Sequence, residues 1–357
     1  MPAPRGARRP SPDEVEAAAR EQGRRRRRWW GAGAALTVVA AVVVGFSVTE
    51  GPIARSLPWS DPQGANPFAD RDLYTWPGSQ AAAAAGTVEA QGRTDDAATL
   101  RRLADVPTAI WLTPEAHGRG EVGAHVRGIV ADASDADEVA VFVVYGVTDR
   151  DCTGQLSAGG LPPEEYAPWV GEIASALGSG DGAAVAVLEP DGLAATFECG
   201  NTDQRVDLLA GALGSLLDAG VPTYVDAGHS DWRPADEMAD LLRRVGVDEA
   251  RGFATNVAGY QADTDETRYA EELSGLLDGA HYVTDSGRNG APSTSEWCNP
   301  DARLLGREPA AVDDGSAQDA DLWVKPPGES DGTCNGGPDA GVFWVERALS
   351  MAAATGW

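Results

Sequence analysis

The sequence predicts an α/β domain built on a parallel sheet of about seven strands, open or closed into a barrel. Three observations lead there. Seven short apolar runs recur, at 108–112, 139–145, 183–188, 223–225, 252–255, 281–283 and 321–324. Between them lie amphipathic stretches such as 166–177, 205–217, 235–245 and 268–277, with apolar residues at three- and four-residue spacing. Carboxylates gather just past the apolar runs, where open and closed parallel sheets alike place their function.

In chain order, the first feature is basic. Residues 1–30 hold nine arginines against four acids, ending in a run of five Arg at 24–28 followed by Trp29 and Trp30. An uncharged stretch rich in Ala and Val follows at 31–49. As a helix, residues 31–48 would span about 27 Å against a hydrocarbon core of about 30 Å. The Arg cluster and paired Trp predict a cytoplasmic N-terminus, a single-pass anchor in the cell membrane and an extracellular remainder. A cleaved export signal is the rival reading and would give a secreted protein, but Ser47-Val48-Thr49-Glu50 is a poor small-x-small cleavage site. Residues 50–65, punctuated by Pro and Gly, read as a linker, and 66–357 as one domain without internal repeats.

The body of the chain carries 19 basic against 51 acidic residues, which excludes nucleic acid as an expected partner. Only one of its basic residues is a lysine, Lys325. The four cysteines, Cys152, Cys199, Cys298 and Cys334, are too widely spaced for a CxxC metal site, and neither metal nor cofactor is expected. Export makes disulfides the natural reading, with three connectivities open.

The ends of five runs deliver carboxylates to one rim: Asp149 and Asp151, Glu189 and Asp191, Asp226, Asp285 with Arg288, then Glu329 and Asp331 beyond Lys325. A single Asp in so acidic a chain is usually a helix cap or a solvated face. Recurrence at successive strand ends is not. With four histidines, no serine nucleophile elbow and no HExxH, acid–base work on a glycosidic bond fits best. Such hydrolysis needs one protonated carboxyl, and clustered carboxylates raise one another's pKa. Trp111, Trp232 and Trp297 stand near the same ends and could stack on sugar faces or pack in the core.

These residues resemble glycoside hydrolase family 6, the inverting cellulases. Asn66-Pro67-Phe68 with Leu73-Tyr74 resembles the entry motif of that family, and Tyr145 with Asp149-Arg150-Asp151-Cys152 its first active-site signature. Leu188-Glu189-Pro190-Asp191 and Asp226-Ala227-Gly228-His229 resemble the next two, and Trp323-Val324-Lys325-Pro326 with Gly328-Glu329-Ser330-Asp331-Gly332 the last. The resemblance implies a distorted (β/α) barrel, a variant of the TIM barrel, with about seven strands. It implies Asp191 as general acid, Asp151 as the carboxyl that tunes it, and Asp331 as the proposed base. Ser157 matches a serine that relays a proton through water, and Tyr145 a tyrosine that favours a distorted sugar ring. Trp111, Trp232 and Trp297 match stacking platforms, while Asp226, His229, Asn256, Lys325 and Glu329 match substrate ligands. The pairing expected alongside is Cys152 with Cys199 and Cys298 with Cys334.

The sequence departs from the pattern at Gly146-Val147-Thr148 and at Arg233, and no cellulose-binding module is expected within residues 1–357. The expected activity is endo-acting hydrolysis of β-1,4-glucan with inversion, since 290–296 holds only seven residues before Trp297, as in short-loop members. An exo-acting cellobiohydrolase and a non-catalytic surface glycan-binding protein are the alternatives.

Overall fold

The computed structural model describes residues 63–152 and 157–357. The basic segment 1–30, the apolar segment 31–49 and all but the last three residues of the linker 50–65 lie outside the described residues. Among the described residues, no helix is long and apolar enough to cross a membrane.

A pair of helices comes first, α1 (Gln80–Ala90) and α2 (Thr94–Ala104). The Ser79 side chain caps α1 by accepting the Ala82 N–H. Strand–helix alternation then begins with β1 (Ile110–Leu112), α3 (Val122–Ala136), β2 (Ala140–Val144), α4 (Pro163–Leu177) and β3 (Ala184–Leu188). It continues through α5 (Thr196–Cys199), α6 (Thr202–Asp218), β4 (Thr223–Asp226), α7 (Ala235–Val245) and β5 (Gly252–Thr255). Helix α8 (Asp263–Leu276) leads to β6 (His281–Asp285), and β7 (Ala310–Ala311), β8 (Gln318–Leu322) and α9 (Val345–Thr355) complete the order. Helix α7 illustrates the local logic. Asp236 and Glu237 occupy its first turn and Arg243 and Arg244 its last, matching the helix dipole, and Gly246 at φ +96° ends it.

The strands form one sheet in the order β1-β2-β3-β4-β5-β6-β8-β7, parallel throughout except for the antiparallel β7–β8 pair. Every residue of β2 and β3 is buried, which is why both read as unbroken apolar runs. Phe142, Val144, Ala186 and Leu188 point outward and pack with the helices. Val141, Val143, Val185 and Val187 point inward and share one cluster with Tyr224, Val283 and Leu322. That shared interior, from β2 round to β8, means the sheet curls on itself.

The curl stops short of a ladder. Between β1 and β8 the seam is bridged by the Ala109 N–H donating to Trp323 O (3.0 Å) and the Trp111 indole N–H donating to Val324 O (2.8 Å). The sheet is therefore an eight-stranded half-barrel, where about seven parallel strands were expected. Strand β7 consists of two exposed alanines and has no apolar run to announce it. The last apolar run, expected as a strand over 321–324, pairs instead over Gln318–Leu322, because Trp323 and Val324 leave the ladder to span the seam.

At the amino ends of the strands, the interior is closed by a buried polar plug. The Arg251 guanidinium makes two 2.7 Å bonds to Asp319, whose Oδ2 also accepts the Tyr224 hydroxyl at 2.6 Å. The carboxyl ends remain for chemistry.

Candidate active site

The loop after β2 is folded around its own polar groups. Ser157 donates its N–H and its hydroxyl to Asp151 Oδ2 at 2.9 and 3.0 Å, and the Tyr145 hydroxyl donates to Ser157 Oγ at 3.3 Å. Arg150, buried beneath, donates to Tyr145 O (2.7 Å) and Ser157 O (3.0 Å) and lies 4.4 Å from the Tyr145 ring centroid. Asp149 and Asp151 have φ of +53° and +50°, left-handed values held by this over-determined loop. The Cys152–Cys199 disulfide ties the loop to α5.

The next loop brings Asp191 to face it. Glu189, wholly buried, accepts the N–H groups of Gly146 (2.9 Å) and Val147 (3.1 Å) and the Tyr166 hydroxyl (2.9 Å), so it fixes the turn that leads into the Asp151 loop. Burial pushes its carboxyl up to about 7 against these bonds. Two residues on, Asp191 sits at φ +65° with its N–H donated to Asp226 Oδ2 at 2.9 Å. Burial, and next the neighbouring Asp151 carboxylate, push the Asp191 carboxyl up to about 7; Lys325 opposes them and Asp331 adds to them. Asp226 is raised well above the usual carboxylate range by burial and then by Asp191.

Asp331 has the opposite environment. Burial raises it, but the Arg288 guanidinium (2.8 Å), Lys325, the Tyr260 hydroxyl (2.7 Å) and the Asn299 N–H (3.0 Å) outweigh burial and hold it below its ordinary value. One rim thus carries a carboxyl that keeps its proton to about neutral pH and another held ionised. This separation is what acid–base chemistry on an oxygen leaving group requires. Lys325 Nζ lies 3.4 Å from Glu329 Oε2 and 5.1 Å from the Trp111 ring centroid, and Trp111 in turn meets Tyr145 edge-on at 5.2 Å.

On the other side stand His229 and Trp232, with ring centroids 5.4 Å apart, and Trp297, 56% exposed. Burial lowers His229 to about 4, so it is neutral. Asn256 is sealed in, its amide donating to Gln261 O and Asp285 O while its Oδ1 accepts the Gln261 N–H. Its polar atoms shape the loop rather than face the cleft. The Cys298–Cys334 disulfide joins the Trp297 loop to the Asp331 loop.

Sequence reading missed the supports. Glu189 stood inside a quoted motif without a role, and Arg288 was noted only as a neighbour of Asp285. Tyr260 and Asn299 carried no signal, because they reach Asp331 from 71 and 32 positions away. Asp285 accepts four N–H groups, from Ala258, Gly287, Val324 and Lys325, and so locks the lysine loop to β6.

A family model described as glycosyl hydrolases family 6 matches residues 68–355. The chain belongs to glycosyl hydrolases family 6. Within it, endoglucanase A of Cellulomonas fimi is 42% identical over 265 residues, covering 73% of this chain and 57% of that relative. Endoglucanase A of Thermobispora bispora is 37% identical over 261 residues, covering 70% and 56%. The chain therefore spans a little over half the length of these two. Among solved structures, the endoglucanase Cel6 of Mycobacterium tuberculosis superposes with a TM-score of 0.75 at 39% identity, covering 82% of this chain and 100% of that one. It was solved with methyl-cellobiosyl-4-deoxy-4-thio-β-D-cellobioside.

Proposed function

We propose that the chain is an endo-acting β-1,4-glucanase that hydrolyses cellulose or a related β-glucan with inversion. The observation that carries this reading is the pairing of unlike carboxyls at the rim. Asp191 is held protonated to about neutral pH by burial and Asp151, and Asp331 is held ionised by Arg288 despite its burial. Asp191 protonates the leaving oxygen. Asp151 supports the developing positive charge on the sugar, and a water attacks from the opposite face. Ser157, bonded to both Asp151 and Tyr145, offers a hydroxyl through which the proton of that water passes to the Asp151 carboxylate, and Asp331 supplies negative charge nearby. Trp111, Lys325 and Glu329 line the side that retains the sugar end, and Trp232 and Trp297 the leaving-group side.

The endo assignment is supported by the names of the relatives with 42% and 37% identity and by the exposure of Trp297, which no roof covers among the described residues. The apolar segment 31–49 anchors the domain outside the cell, or is cleaved to release it; intact mass together with membrane fractionation separates the two. Time-resolved NMR of fresh hydrolysate from a soluble β-glucan tests the reaction. Release of α-anomeric sugar is expected, an initial β-anomer would refute inversion, and binding without release would make the chain a glycan-binding protein.

A further inference from the structure

Between the loop that carries Trp232 and the loop that carries Trp297 lies a recess of about 420 Å³. Ser230 and Asp231 form one wall, residues 293–295 the other, and Gln261 with the start of α8 closes it between them. Its volume falls within the roughly 300–1,000 Å³ of small-ligand sites. Every side chain lining it is polar.

The recess is braced by its own hydrogen bonds. Gln261 is 3% exposed; its Nε2 donates to Thr294 O (2.8 Å) and its N–H to Asn256 Oδ1 (3.1 Å), while its Oε1 has no partner among the described residues. Ser293 Oγ accepts the Ala262 N–H at 2.9 Å and donates to Asp265 Oδ2, tying the far wall to α8. Arg268 meets Asp265 Oδ1 at 2.9 Å and, at 73% side-chain exposure, keeps further N–H donors free for a guest. A nearly buried amide with an unpaired acceptor, beside a guanidinium with unused donors, is suited to a neutral ligand that both gives and takes hydrogen bonds.

The main chain of a β-glucan does not need this space. Its glucosyl units present flat apolar faces, and the indoles of Trp232 and Trp297 answer those. A recess lined only by polar side chains, opening beside both indole loops, suits a group whose perimeter is mostly hydroxyl and which departs sideways from a stacked unit. We propose that the recess holds a sugar branch on the leaving-group side, so that the substrate class extends to β-1,4-glucans carrying single-sugar branches. This rests on the glucanase reading above.

The test compares kcat/KM on cellohexaose with that on an oligosaccharide of the same backbone carrying xylosyl branches at O6. The full chain is used as wild type, as Ser295→Trp, which fills the recess from its exposed wall, and as Arg268→Ala, which removes its free donors. The wild type is expected to cleave the branched substrate within about threefold of the linear one. In each variant the branched-to-linear ratio should fall by about tenfold, the scale of a lost sugar hydrogen-bond site. An unchanged ratio in both variants, or a wild type that cleaves cellohexaose and rejects the branched substrate, overturns the proposal while leaving the glucanase reading intact. Failure on both substrates overturns the glucanase reading itself, and the branch site with it.

Discussion

Asp191 follows Pro190 at φ +65°, its N–H held by Asp226 and its carboxyl pushed up to about 7 by burial and Asp151. Two consequences can be measured on single residues. Asp191→Asn should cut kcat on an unactivated glucan by about 10²–10⁴, the usual yield of general acid catalysis, while calorimetry shows cello-oligosaccharide affinity kept. Substantial residual turnover would take Asp191 out of the role. Wild-type activity should decline as pH rises through about 7, where Asp191 loses its proton. Asp151→Asn removes the like charge that disfavours ionised Asp191, so the alkaline limb should move to lower pH. The same titrations bear on stability. Glu189, Asp191 and Glu266 are each raised to about 7 in the folded state, above ordinary carboxyl values. Between about pH 4 and 7 the folded chain therefore holds more protons than the unfolded chain, and the stability these groups contribute drains away as pH rises through that window. Asp331, held low, works the other way and loses its contribution only at acid pH. Urea midpoints at pH 5 and pH 8 should be higher at pH 5 for the three raised groups; the difference should shrink in Glu266→Gln.

At the scale of elements, the two disulfides act on loops rather than on the core. Cys152–Cys199 closes 47 positions and Cys298–Cys334 closes 36, each worth about 4 kcal/mol in the chain-entropy picture. Cys152 adjoins Asp151, and Cys298 adjoins Trp297. Removing the first pair as Cys152→Ser with Cys199→Ser should lower kcat along with Tm, because the Asp151 loop loses its tether. Removing the second should chiefly raise KM. A fall in Tm with both kinetic constants unchanged would confine the bridges to stability. The strands of this fold are legible in sequence because burial on both faces leaves runs such as 140–144 and 184–188 without a polar residue. Helix α1 was not legible: its run of alanines has no polar face to contrast with an apolar one. The carboxylates were legible as strand-end residues. Their environments were not, since Arg288 and Tyr260 lie 43 and 71 positions from Asp331 and meet it only in the fold.

For the molecule as a whole, the endo-acting reading proposed above requires that a glucan bind anywhere along its length. Treated with the full chain, neutral hydroxyethyl cellulose should lose viscosity steeply while few reducing ends appear. Cellobiose as nearly the sole early product, with viscosity almost unchanged, would indicate a roofed tunnel. A neutral polymer is the right probe, because the net charge of −27 would repel a carboxymethylated one at low salt.

The seam between β1 and β8 bears on motion. Three residues of β1 pair with β2 on one side, whereas on the other a single backbone bond, Ala109 to Trp323, stands where a ladder would be. Strands β3 to β5 are paired on both sides. Opening β1 therefore breaks far fewer bonds than opening the centre of the sheet, and amide hydrogen–deuterium exchange should be fastest, among the parallel strands, at 110–112. Because Trp111 rides on that strand, the indole proposed as the platform of the sugar-retaining side should share its opening. A bound cello-oligosaccharide resting on it should slow exchange there more than anywhere else in the sheet, and equal protection across β1 and β4 without ligand would show the seam to be as firm as a closed ladder.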